Sequence, residues 1–135
     1  QLDLGAIGKG FALDRMAAIL AEWDLDSIML WASTSTVLAR RRSQDAPGQF
    51  VWIGPESARR SVSLNNAAMS ASGTLVQGFH IIDPRFGRPA TYRTRCWAKA
   101  PTAAEADALS TAFMVMADAD IAFYCEKHPG VSAYL

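Results

Sequence analysis

The stretch APTAAEADALSTAFMVM, residues 100–116, opens with the signature of a helix start. Thr102 followed three positions later by Glu105 is a capping box. In that arrangement the threonine hydroxyl accepts from the backbone and the glutamate reaches back to it. A helix is therefore expected from this cap through about Met116. On it Asp107 and Thr111 lie four residues apart, so a carboxylate and a hydroxyl project from one face. The rest of that face is small or apolar: Ala103, Ala104, Ala108, Ser110 and Ala112.

Working outward, Asp118-Ala119-Asp120 starts a further helix through about Lys127, and Gly130 to Leu135 reads as a closing strand. Before the capped helix, Thr91 to Ala98 reads as a strand running into Pro101. Phe79 to Ile82 is a compact strand stopped by Asp83-Pro84. Ala67 to Ser72 is small and weakly patterned. Ser61 to Leu64 alternates. Gln49 to Ile53 sets Phe50 and Trp52 on one side and Val51 and Ile53 on the other. It reads as the strand returning from Val37 to Arg41 around a turn-rich tip, Ser43 to Gly48.

Towards the N-terminus, Leu2 to Leu4 is a short strand candidate ending at Gly5, and the pattern turns helical from Phe11. There Leu13, Met16, Ala17, Leu20 and Trp23 recur at three- and four-residue steps. Ser27 to Trp31 follows as a buried strand, which makes the segment an αβ crossover. The fold expected is α+β: one domain over 1–135, mostly antiparallel, with at least three helices.

A chain of 135 residues, half of them hydrophobic and 19% charged, can bury a real core. Thirteen basic against thirteen acidic residues leave no field for nucleic acid or anionic lipid. No apolar run reaches membrane-spanning length and no signal peptide is visible. The chain opens at Gln1 without a methionine, and a trimmed N-terminus would have removed any address. Cys96 and Cys125 have no metal spacing around them and are expected to be buried and reduced.

Three places carry candidate chemistry. Gly5, Gly8 and Gly10 permit close backbone approach at a helix start, where amides attract anions. Their G-x-x-G-x-G spacing fits a plain strand–helix corner as well as a phosphate site, since it reverses the dinucleotide fingerprint. The Asp107 and Thr111 oxygens suit a hard cation such as Mg²⁺, yet both residues also have ordinary helical roles. His80 is of a residue type that serves as a general base, and a lone histidine at a strand end is also a common structural residue.

In order along the chain, DLGAIGKGFALDR (3–15), SASG (70–73), HIIDPRFGRPA (80–90) and the 100–116 stretch resemble the ApbE family, the FAD:protein FMN transferases. The resemblance runs from Asp3 to Leu135 and corresponds to the C-terminal half of the family pattern. It implies Mg²⁺-dependent cleavage of FAD, with FMN passed to a Thr or Ser of an acceptor protein, or hydrolysis of FAD to FMN and AMP. Carried over, Asp3 and Lys9 would lie at the flavin nucleotide, with Ile81 and Ile82 beside it. The Ala6 carbonyl, Asp107 and Thr111 would hold the metal, and His80 would be the base for the acceptor hydroxyl. Family members commonly act at the periplasm or a membrane, and this chain carries no legible address.

The chain also departs from the family. Ser33, Thr34 and Ser35 stand where a Gly-Gly-Asp run is usual, Ala71 replaces a threonine, and Phe86 and Ala117 stand at Thr and Gly positions. Three outcomes follow from the resemblance: an enzyme completed by a missing N-terminal half, a nucleotide-binding module without turnover, or a structural paralogue, which could form a homo-oligomer.

Overall fold

Alternation along β-strands decides which side chains face which layer, and here both faces of the main sheet are covered. The computed structural model describes residues 3–42, 48–75 and 78–135. In chain order its elements are α1 (Gly8–Ala21), β1 (Ile28–Ala32), β2 (Thr36–Arg40), β3 (Gln49–Ile53), β4 (Arg60–Leu64), β5 (Ala67–Gly73), β6 (Ile82–Asp83), β7 (Arg88–Pro89), β8 (Arg95–Ala100), α2 (Ala103–Phe113), α3 (Asp118–Lys127) and β9 (Ser132–Tyr134).

Five strands form an antiparallel sheet in the order β1-β2-β5-β8-β9. The helices cover one face, where Leu38, Ala68, Cys96, Ala98 and Ala100 pack with Leu13, Ala106 and Phe113. The β3–β4 ribbon covers the other, where Val37, Ala39, Ala67 and Met69 meet Val51, Ile53, Val62 and Leu64. The expected α+β fold, mostly antiparallel with three helices, is what forms.

The central strand is the segment whose pattern was weakest. β5 is buried from both sides, so polar–apolar alternation is lost. Its small side chains let α2 and the ribbon approach from opposite faces. Strand β3 does not return alongside β2. It pairs with β4 instead, and that ribbon lies on the sheet rather than extending it. The tip expected at Ser43 to Gly48 falls mostly outside the described residues.

The N-terminal crossover is also corrected. Leu4 is not in a strand: its carbonyl accepts from Ile7 and Gly8 and so closes a turn. Helix α1 begins at Gly8, before Phe11, and buries Gly10, Leu13 and Ala17, while Met16 and Trp23 of the expected face are exposed. The Phe79 to Ile82 strand shrinks to the two-residue pairing of β6 with β7, leaving Phe79 and His80 exposed and irregular. Strand β8 starts later than expected, at Arg95, and reaches Ala100.

Both ends of α2 are held by side chains from elsewhere. At its start the Thr102 hydroxyl accepts from the Glu105 amide at 3.2 Å, the threonine half of the capping box. The Ala103 and Ala104 amides donate to the Asp14 carboxylate of α1 at 3.0 and 2.8 Å. At its end Arg93 donates to the carbonyls of Phe113 and Met116, and Arg85 to that of Val115. Helix ends leave such groups without intrahelical partners, so these contacts fix α2 against α1 and against the 83–93 segment.

Candidate functional site

The contact between α1 and α2 begins at Gly10. A Cβ there would sit 2.0 Å from the Ala103 carbonyl oxygen, so only glycine allows the helices to pass this closely. Its amide does not complete the first turn of α1. It donates instead to Asp107 Oδ2 at 3.0 Å. Among the described residues no amide then donates to the Ala6 carbonyl, the partner a regular helix would have used.

Asp107 is 2% exposed, and its carboxylate is surrounded by donors. Besides Gly10, Ser70 Oγ donates to Oδ1 at 3.1 Å and Thr36 Oγ1 at 3.4 Å. The two hydroxyls also lie 2.9 Å from each other. Lys9 Nζ pairs with the same Oδ1 at 3.1 Å and reaches the Gly5 carbonyl at 3.4 Å. The corner itself is shaped by Asp3, whose Oδ1 accepts from the Gly5 amide at 2.7 Å.

Thr111 lies one turn along α2. Its hydroxyl is 3.0 Å from Ser72 Oγ, which is also 2.8 Å from Ser110 Oγ. Asp3, Ala6, Lys9 and Asp107 thus belong to one neighbourhood at the start of α1. Thr111 adjoins it through the Asp107 carbonyl, to which it donates at 3.4 Å.

The donors present fit a hard divalent cation. One buried carboxylate, a hydroxyl and an unclaimed carbonyl are all oxygen, and Mg²⁺ is commonly held by one or two carboxylates with waters and phosphates completing its shell. Among the described residues no group of three or more His, Cys, Asp or Glu side chains is placed to hold a metal ion.

His80, Ile81 and Ile82 lie on a separate segment. His80 is exposed, and both its amide and its Nδ1 reach the Gly78 carbonyl, at 3.0 and 3.1 Å. A carbonyl can only accept, so Nδ1 carries a proton and the neutral ring keeps its free lone pair on Nε2. Ile81 is buried in the core, so Ile82, half exposed, presents the apolar surface of the pair.

Asp83 anchors this segment by accepting from the Arg85 amide and Nε, both at 3.0 Å, and from Nη2 at 2.7 Å. Those hydrogen bonds from Arg85 hold the Asp83 carboxyl below its ordinary range and raise the guanidinium in return. Beside it a groove of about 460 Å³ is lined by Phe79, Asp83, Phe86, Arg88 and Tyr92, among others. His80 makes no hydrogen bond to the Asp107 group; the link between the two neighbourhoods is α2, gripped by Arg85 and Arg93.

Several contributors escaped the sequence reading. Thr36 and Ser70 complete the Asp107 shell, and Thr36 sits inside a strand with no motif around it. Ser70 lies in SASG, a stretch that carries the resemblance without marking this hydroxyl. Asp14 lies within DLGAIGKGFALDR, four residues past Gly10, and that spacing was the one available signal.

Among the described residues no helix is long and apolar enough to cross a membrane. A family model described as the ApbE family matches residues 1–135. A protein of Treponema pallidum (strain Nichols) named FAD:protein FMN transferase is 29% identical over 154 residues, covering 98% of this chain and 42% of the relative. One of the same name from Haemophilus influenzae is 26% identical, covering 99% and 42%.

Among solved structures, the apo flavinyl transferase ApbE of Pseudomonas stutzeri superposes with a TM-score of 0.81 at 26% identity, over 98% of this chain and 44% of that one. The apbe protein from Thermotoga maritima gives 0.79 at 28% identity, over 98% and 47%. The chain spans less than half the length of these relatives.

Proposed function

This chain belongs to the ApbE family, and from that premise we propose that it is the metal- and phosphate-facing part of an FAD:protein FMN transferase. The observation that carries the reading is the Gly10 amide turned onto the buried Asp107 carboxylate, which among the described residues leaves the Ala6 carbonyl without its helical amide partner. Asp107, Thr111 and the Ala6 carbonyl would hold Mg²⁺. When bound, that ion would neutralise pyrophosphate oxygens of FAD.

The protein's own groups then do the positioning on which phosphoryl transfer depends. Asp3 and Lys9 would lie along the nucleotide, with Lys9 offering its ammonium to a phosphate oxygen, and Ile82 would flank it while Ile81 stays in the core. His80 Nε2 would take the proton of a Thr or Ser hydroxyl of the acceptor protein. That oxygen bonds to the FMN phosphorus as the bond to the AMP oxygen breaks, so FMN ends as a phosphoester and AMP leaves.

The test is AMP release from FAD in the presence of Mg²⁺, an acceptor protein and the N-terminal half of a family relative, followed alongside flavin fluorescence on the denatured acceptor. The proposal predicts both signals, with loss of transfer in His80→Ala. Transfer that is undiminished in His80→Ala, or that proceeds equally in EDTA, contradicts it.

A further inference from the structure

The Asp107 carboxylate receives four donors, three on Oδ1 and Gly10 on Oδ2, and only one of them can leave. Ser70 and Thr36 are wholly buried in the sheet, their hydroxyl oxygens 2.9 Å apart. Gly10 is backbone, locked by the helix crossing. The Lys9 side chain is 40% exposed and flexible, and its ammonium bridges Asp107 Oδ1 and the Gly5 carbonyl. A positive group therefore already spans the buried carboxylate and the turn whose next carbonyl, that of Ala6, is unclaimed.

We propose that the Lys9 ammonium is the resident counter-ion of Asp107, and that a divalent cation enters this position only by displacing it. The inference rests on the metal reading of Asp107 given above. A carboxylate has few lone-pair sites, and two positive groups cannot share one oxygen at ion-pair distance without strong repulsion. Once Lys9 is removed, Asp107 keeps the Gly10, Ser70 and Thr36 donors, so the site stays formed but has one competitor fewer. Lys9 thereby sets how tightly the metal is held before any nucleotide arrives.

The test is titration of Mn²⁺ into the full chain without nucleotide, following free Mn²⁺ by electron paramagnetic resonance, in the parent, Lys9→Met, Lys9→Arg and Asp107→Asn. Thermal melts of each variant establish that it is folded. Loss of one partly exposed ion pair predicts Mn²⁺ binding about two- to fivefold tighter in Lys9→Met. Lys9→Arg should stay at or below the parent, and Asp107→Asn should bind nothing. If Lys9→Met binds no tighter than the parent while Asp107→Asn still abolishes binding, the displacement is overturned and the metal reading stands. Absence of binding in both the parent and Lys9→Met overturns the two together.

Discussion

The Gly10 amide and the Asp107 carboxylate, 97 residues apart in the chain, meet at 3.0 Å. That bond joins the glycine-rich corner to the capped helix, and the absence of a side chain at Gly10 makes it attainable. The corner is a close-approach site first, and the Ala6 carbonyl loses its helical donor as a consequence.

Gly10→Ala should therefore destabilise the fold by about 2–3 kcal/mol, the cost of forcing a methyl group into a filled space. Gly8→Ala is the control, because a Cβ there would meet only Leu4 Cβ at 3.6 Å. It should be neutral or stabilising by up to about 1 kcal/mol through helix propensity. Urea unfolding of both variants checks this; equal losses would remove the close-approach argument.

Asp14 joins α1 to the start of α2 and also lies 3.6 Å from Arg40. Asp14→Ala should cost about 1–2 kcal/mol, the range for losing an N-terminal cap with its charge. Hydrogen exchange should quicken at Ala103 and Ala104 first. Unchanged protection there would contradict the capping role.

How much of this was legible follows from where the signals sit. The α2 start could be read because a cap is a local code, and its threonine does what the spacing implies. The β5 strand could not, since burial on both faces erases the alternation that marks a strand. Asp107 and Lys9 were each named from the sequence, but their pairing depends on the Gly10 crossing, which no single segment contains. Thr36 and Ser70 were invisible for the same reason: they become donors only when β2 and β5 lie side by side under α2.

Ser33 adopts a left-handed backbone, φ 56°, in the turn between β1 and β2. Ser33→Gly should stabilise the chain by about 0.5 kcal/mol, because relief of the left-handed conformation outweighs the added freedom of the unfolded glycine. Thr34→Gly, without that relief, should destabilise. Thermal melts showing the opposite order would refute the strain.

The Cys96 thiol is fully buried, and desolvation pushes it up to about 12. Between the unfolded value near 9 and this native one, the unfolded chain loses a proton that the folded chain keeps, so stability should fall as pH rises across that interval. Cys96→Ser should flatten the decline. At pH 8 Cys96 should resist alkylation until the chain unfolds, and labelling of the native protein at Cys96 would show that the burial is wrong.

The most direct test of the central claim is calorimetric titration of FAD into the chain with Mg²⁺, repeated with EDTA and with Asp107→Asn. The account predicts binding that needs Mg²⁺ and disappears in both controls. A folded chain that binds FAD equally well in EDTA, or gives no heat at any FAD concentration, would contradict the assignment of Asp107 as the centre of a metal–pyrophosphate site.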